Sequence, residues 1–156
     1  MTLAVFLRGK CDAKDVPLYM GAQIVGGVLA ALAAQFVVGK SGTPGTLAVG
    51  PALVAEFLFT FALCYVVLNA ATARANADNS FYGLAIGFTV MASAFAVGHV
   101  SGGAFNPAVA VAVSVMGLSD WSNIWIFLVA DFAAGAAAAG AFKVCSPDDA
   151  SPDKAA

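Results

Sequence analysis

The sequence predicts an all-α integral membrane fold, four transmembrane helices plus one re-entrant half-helix. Three observations predict it: a composition too apolar for a water-soluble domain, four apolar windows of spanning length, and the stretch GHVSGGAFNPAVAVAVSVMG, in which a glycine-rich turn and Asn-Pro-Ala interrupt the apolar pattern. Of the 156 residues, 61% are hydrophobic and 10% charged, and the mean hydropathy is +0.89. A soluble domain is roughly 45–50% apolar.

A hydrocarbon core about 30 Å thick takes about 20 residues of helix. Windows 17–38, 50–71, 81–98 and 121–142 meet that requirement, the third being the shortest. The chain, 1–156, reads as one membrane domain ending in a polar tail at 144–156. At the N-terminus, MTLAVFLRGKCDAKD puts a brief apolar run before the basic residues. That is the reverse of a cleavable signal, so insertion is expected to rely on the spans.

Residues 106–118 are too few to cross, since such a helix reaches only about 20 Å. Asn106 suits an N-cap, and Pro107 suits the first helical position, where its missing N–H is not needed. The half-helix is therefore expected to start at Asn106 and to go partway in. Non-helical backbone at membrane depth is tolerated only where protein buries it or it lines a water-filled cavity. The SGGAF segment before Asn106 is thus expected to line a cavity, with Gly102 and Gly103 allowing a tight turn that shows carbonyls.

With the chain returning to the side it entered from, Arg8, Lys10, Lys14, Arg74, Lys143 and Lys154 fall on one side and Lys40 on the other. The positive-inside bias makes the first side cytoplasmic, with both termini there. A fifth full crossing would move Lys143 and Lys154 away from the rest.

Sliding the sequence along itself by 108 positions aligns residues 1–31 with 109–139. Identities fall at Ala4/Ala112, Val5/Val113, Gly9/Gly117, Asp12/Asp120, Ala22/Ala130, Gly27/Gly135, Ala30/Ala138 and Ala31/Ala139. The glycine and aspartate pairs carry the repeat, because alanine is common here. The two copies cross in opposite directions, an arrangement that places a permeation site near the midplane between facing half-helices. Met1 aligns with Val109, so the partner of Asn106-Pro107-Ala108 is expected just ahead of Met1.

These features resemble the aquaporin, or major intrinsic protein, family of water and small-solute channels. The resemblance covers nearly the whole chain. It implies the C-terminal two-thirds of an inverted-repeat six-span bundle, with TLAVFLRGK as the end of the first half-helix and the four windows as spans three to six. The first two spans and the first Asn-Pro-Ala are absent, so the domain is expected to be incomplete at the N-terminus. The resemblance further implies a homotetramer in a lipid bilayer, most simply the plasma membrane, passing water or small neutral solutes such as glycerol. One departure bears on selectivity: where typical members follow the second Asn-Pro-Ala with arginine, this chain has Val109, and GHVSGGAFNPAV is closer to the family's first motif.

The candidate pore residues are Asn106, Pro107 and Ala108, with the carbonyls of Gly102, Gly103 and Ala104 as a polar track. The Asn106 amide can donate to a passing oxygen at the positive end of a helix dipole, where cations are disfavoured. Val109, Gly103 and Ala94 are the filter candidates, although Val109 could equally be packed. Glu56 lies in a span, where an ionisable group needs a partner. The resemblance implies that it accepts hydrogen bonds from pore-loop backbone, a brace. Asp131 aligns with Gln23, and both read as polar links between helices. His99, the sole histidine, is either a gate or a loop residue bonded to backbone. Small residues at Ala22/Gly26, Gly27/Ala31 and Gly135/Ala139 suit close helix packing.

A net charge of −2 with no basic run argues against nucleic acid. Three cysteines without CxxC or Cys/His spacing suggest no metal site, and no cofactor is expected. No nucleophile, base and orienter set points to an enzyme. Two readings remain open beside the passive channel. One is an ion-coupled transporter, which also uses broken helices and inverted repeats. The other is a non-conducting truncated channel fragment.

Overall fold

A computed structural model describes residues 1–39, 44 and 46–150. The described residues form helices α1 (Thr2–Arg8), α2 (Val16–Val38), α3 (Val49–Thr72), α4 (Tyr82–Ser101), α5 (Pro107–Val115), α6 (Ile124–Cys145) and α7 (Pro147–Ala150), with two short 3₁₀ turns. Helices α2, α3, α4 and α6 are long and apolar enough to cross a membrane. Each expected span matches one of them to within a few residues. The third expected span extends to Ser101 rather than stopping at 98, because nothing breaks the helix before Gly102, whose φ of +92° ends it.

The half-helix is shorter than 106–118. Helix α5 occupies Pro107–Val115, and Gly117, with φ of +76°, turns the chain before Leu118. At the other end, α6 takes in Val144 and Cys145, which the sequence assigns to the tail. Lys40 and Lys154, two of the seven cations in the orientation argument, lie outside the described residues, as does 151–156.

The 108-residue repeat appears in the backbone. Helices α2 and α6 begin at Val16 and Ile124, which are equivalent in that register. The half-helices end alike: Gly9 N–H donates to Phe6 O and Lys10 N–H to Val5 O, while Gly117 N–H donates to Ser114 O and Leu118 N–H to Val113 O. The two aspartates also match. Asp12 O accepts from Asp15 N–H and Asp120 O from Asn123 N–H, both at 3.0 Å.

The long helix of each repeat copy packs on the half-helix of the other copy, α2 on α5 and α6 on α1. Midway along α2, a Cβ on Gly27 would meet Ala108 O at 2.8 Å and Ala112 Cβ at 3.6 Å. Midway along α6, one on Gly135 would meet Ala4 N at 3.9 Å. Ala4 and Ala112 are themselves repeat equivalents. The half-helices thus enter from opposite ends and bring their starts to the middle of the bundle. Of the small-residue positions expected to suit close helix packing, Gly27 and Gly135 face half-helices, whereas Ala22 and Gly26 are exposed.

Helix α3 packs chiefly on α6 and then on α4. Its core side, with Cys64 and Leu68, meets Ala138, Ala139 and Phe142 of α6 and Ala4 of α1. At that end of the bundle Arg8 is buried under the Phe142 ring, 4.9 Å from its centroid, and donates to Thr72 O at 3.4 Å. Asp149 of α7 stands 3.8 Å from Arg8 and 3.7 Å from Arg74. These contacts bring Arg8, Arg74 and the end of α6 together at one end of the bundle.

Candidate pore loop and half-helix

The loop between α4 and α5 is organised by one side chain. Glu56, fully buried on α3, accepts Ser101 Oγ–H (2.6 Å) and Ala104 N–H (3.0 Å) at Oε1, and Phe105 N–H (2.7 Å) at Oε2. Ser101 Oγ in turn accepts Gly103 N–H at 3.1 Å. A carboxylate in apolar surroundings is costly unless its lone pairs are filled, and a loop there leaves N–H groups that need acceptors. Each satisfies the other.

The loop's turn needs left-handed backbone at Gly102, Gly103 and Phe105, with φ of +92°, +66° and +49°. Phe105, a strained residue in that region, is held by its N–H bond to Glu56 and by its ring, 6.0 Å from that of Phe59. Asn106 then caps α5 with extended backbone, its Oδ1 accepting Ala108 N–H at 3.0 Å. That bond uses the amide oxygen and leaves the amide N–H groups as donors. At the far end of α5, Gln35 Nε2 donates to Val115 O at 2.9 Å, filling one of the carbonyls a helix end leaves open.

Two cavities flank this unit. Ser101, Gly102, Ala104 and His99 line one of about 350 Å³. Asn106, Pro107 and Ala108 line the other, of about 240 Å³, with Gln23 and Asp131. The SGGAF segment therefore does border a cavity, through Ser101, Gly102 and Ala104, although Ala104 itself is buried. Gly103, Val109 and Ala94 line neither cavity. Val109 is 40% exposed, between the buried Ala108 and Ala110 on α5, and Ala94 lies exposed on α4. His99 is not a loop residue. It sits exposed in the last turn of α4, because that helix outlasts the expected window.

Asp131 and Gln23 do link helices, though to different partners. Asp131 Oδ1 accepts Thr60 Oγ–H at 2.8 Å, tying α6 to α3, and Gln23 Nε2 donates to Thr2 Oγ at 2.8 Å, tying α2 to α1. Ser101, Thr60 and Gln35 were not singled out by the sequence. Their signal is a lone polar side chain in or at the end of an apolar helix, which announces a partner without naming it.

Residues 1–142 match the family described as major intrinsic protein. The chain is 34% identical over 137 residues to the probable aquaporin NIP4-2 of Arabidopsis thaliana, covering 85% of this chain and 47% of that protein. It is 32% identical over 149 residues to aquaporin NIP1-1 of Oryza sativa subsp. japonica, covering 92% and 52%. It is 29% identical over 159 residues to glycerol uptake facilitator protein-like 6 of Lactiplantibacillus plantarum, covering 96% and 73%. The chain spans about half the length of the two plant proteins.

Proposed function

Since the chain belongs to the major intrinsic protein family, we propose that it forms the part of a passive membrane channel for water and small uncharged solutes that carries the second half-helix. The observation that carries this reading is Glu56, which closes on the Ser101–Phe105 loop and so fixes Asn106 at the start of a half-helix. A loop held this way can hold a donor amide at membrane depth while other polar backbone stays satisfied. Solute oxygens accept from Asn106, and the positive end of α5 opposes cations. Gly102 and Ala104, which border the cavity of about 350 Å³ with His99, extend the polar track with their carbonyls, while Gly103 borders neither cavity. Relatives named as aquaporins and as a glycerol uptake facilitator favour this class of solute.

We assign the filter position to Val109, which is 40% exposed on α5 but borders neither cavity of this chain. Replacing a filter arginine by valine removes a fixed charge and a fork of donors. Cation exclusion then depends on half-helix dipoles, each worth roughly half an elementary charge near its first turn. The expected channel admits glycerol and is laxer toward protons than a typical water channel. Both termini face the cytoplasm of a plasma-membrane homotetramer; labelling native Cys145 and a Thr46→Cys variant from each side of the membrane checks the orientation.

The repeat register motivates the main experiment. Stopped-flow swelling is measured on vesicles holding this chain and on vesicles holding it extended, ahead of Met1, by two spans ending in Asn-Pro-Ala. The extended chain is expected to conduct water and glycerol. In that background Val109→Arg lowers glycerol and proton permeability while sparing much of the water flux. An extended chain that inserts but passes neither solute overturns the reading, and flux that needs a proton or sodium gradient points to the coupled transporter instead.

A further inference from the structure

Away from the pore loop, three distant segments converge on one carboxylate. Arg74 N–H donates to both oxygens of Asp149, at 3.1 Å each. Asp149 Oδ1 also stands 3.8 Å from Arg8 Nη2 and 3.7 Å from Arg74 Nε, beyond the roughly 2.7–3.2 Å of an N–H to oxygen bond. The carboxylate is therefore bonded to backbone and merely close to the two guanidiniums. Arg8 is the less satisfied group. Its side chain is 3% exposed, its Nε has no hydrogen-bond partner among the described residues, and its Nη2 bond to Thr72 O is long at 3.4 Å. A guanidinium buried with donors bare is costly, so an acceptor that reaches it gains more than it would in water.

The groups around Asp149 narrow the ligand that could take its place. Arg74 N–H and the two guanidiniums are all donors, and guanidiniums have no acceptor, so the ligand is an anion. A carboxylate offers two oxygens, and here both are turned to one N–H. A phosphate monoester offers three, with a charge of about −1.5 to −2, so one oxygen can keep the Arg74 N–H while the others reach the guanidinium donors. Position also bears on the ligand. Arg8 ends α1, Thr72 ends α3 and Phe142 lies in the last turn of α6, so the cluster stands where the spans leave the hydrocarbon. Basic pockets between spans at that depth suit lipid phosphates. Entry runs through Asp149 itself. It belongs to a four-residue helix whose Pro147 and Asp148 are exposed, so little besides its own polar contacts resists its leaving.

We propose that Arg8 and the Arg74 N–H form a binding site for a phosphate monoester, carried by a membrane lipid or free in solution, which Asp149 fills as a displaceable self-ligand. On displacement the Arg74 N–H passes from carboxylate to phosphate, Arg8 gains the acceptor it lacks, and α7 is released. Phe142, Thr72 and Asp149, which surround Arg8, all belong to this chain. The site borders neither cavity of the pore loop and half-helix, and it holds whatever the channel conducts.

The test uses the full chain in phosphatidylcholine nanodiscs, alone or with a minor fraction of phosphatidic acid, a phosphate monoester, or phosphatidylglycerol, a diester of smaller charge. Native mass spectrometry gives the affinity for each added lipid. Phosphatidic acid is expected to bind about tenfold more tightly than phosphatidylglycerol, the gain from one further bond to a charged donor. Asp149→Ala removes the competing carboxylate, so it should tighten phosphatidic acid about tenfold, whereas a purely structural clasp would not. Residue-resolved amide exchange follows the switch. Phosphatidic acid should speed exchange at Asp149, whose N–H bonds Ser146 O, while Arg74 stays protected. In Asp149→Ala, Arg74 should lose protection in phosphatidylcholine alone and regain it with the monoester. Inorganic phosphate added to phosphatidylcholine nanodiscs separates the sources: the same exchange pattern assigns the site to soluble phosphate, and a pattern seen only with phosphatidic acid assigns it to lipid. Arg8→Gln should erase the preference for the monoester. Equal affinity for the two anionic lipids, phosphatidic acid unmoved or weakened by Asp149→Ala, or no return of Arg74 protection with either phosphate source overturns the proposal. The lipid comparison and Asp149→Ala decide the matter even if Arg8→Gln fails to fold.

Discussion

Helices α1 and α2 form one repeat unit, α5 and α6 the other, and each pairs a half-helix with a long helix that leans on the half-helix of the opposite unit. The backbone agrees down to the hydrogen bonds that end the half-helices. Burial does not agree. Helix α6 hides Ile126, Phe127, Ala130, Asp131, Ala134, Gly135, Ala138, Ala139 and Phe142, whereas α2 hides only Ala31. The difference comes from α3, which covers α6 and has no counterpart over α2 among the described residues. The comparison of burial holds for the described residues alone, since the chain spans about half the length of its plant relatives. What the repeat conserves is turn chemistry and close approach.

The largest expected effect breaks the support that Glu56 gives the loop ahead of α5. Glu56→Leu leaves the donors of Ser101, Ala104 and Phe105 without their acceptor. At about 1–3 kcal/mol for each buried group left unpaired, the loss exceeds about 3 kcal/mol even if the loop relaxes in part. Glu56→Gln keeps one acceptor oxygen and should lose less. Denaturant titration in detergent measures both, and limited proteolysis should show new cleavage at 102–105 with none at 9–15. Cleavage rising equally in both places would mean that the two units depend on Glu56 alike.

Next comes the glycine pair at the helix midpoints. An alanine at 27 sets its methyl 2.8 Å from Ala108 O, a backbone atom that cannot turn aside, and so moves the start of α5. The expected cost is about 1–3 kcal/mol, the usual range for overpacking. At 135 the nearest atoms stand at 3.9 and 4.0 Å, so Gly135→Ala should stay within about 0.5 kcal/mol, helped by the better helix propensity of alanine. Equal costs would show that the two seats are equally tight in the membrane.

Much of this was legible in advance. The four long helices follow from apolar length, the cap at Asn106 from Asn-Pro, and the repeat from Gly9/Gly117, Asp12/Asp120 and Gly27/Gly135. Pairings were less legible. Thr60 finds Asp131 at a separation of 71 residues and Gln35 finds Val115 at 80, and nothing local selects either partner. Arg8 reads as a flanking charge, yet it is buried, since Phe142, Thr72 and Asp149 converge on it from three distant segments. The length of α4, and with it the helical setting of His99, was missed because the last apolar residue of a window is not where a helix must stop.

A smaller effect separates the units at their outer ends. Gln35 binds the end of α5, whereas its repeat equivalent is Lys143. Gln35→Leu should cost about 0.5–1.5 kcal/mol, a typical net hydrogen bond, and should speed amide exchange in the last turn of α5 while leaving α1 unchanged. Faster exchange in both half-helices would show that Gln35 acts through the whole bundle rather than on Val115.

The smallest expected difference is between Gly9 and Gly117, where the two units should respond alike. Both residues follow a half-helix with positive φ, +86° and +76°, and both donate to the carbonyl three residues back. An added Cβ meets nothing within 4 Å at either position, so crowding plays no part. What remains is the intrinsic cost of an L side chain in left-handed backbone, about 1–2 kcal/mol. Gly9→Ala and Gly117→Ala should therefore each lose about that much, and agree to within about 0.5 kcal/mol, the scatter usual for independent sites. The double variant should lose the sum, because each turn closes its own half-helix at an opposite end of the bundle. Single-variant costs that differ by more than that scatter would place the asymmetry of the two units in their turns as well as in the helix that covers α6. A double variant that loses less than the sum would mean that the two half-helices are released together once either turn opens.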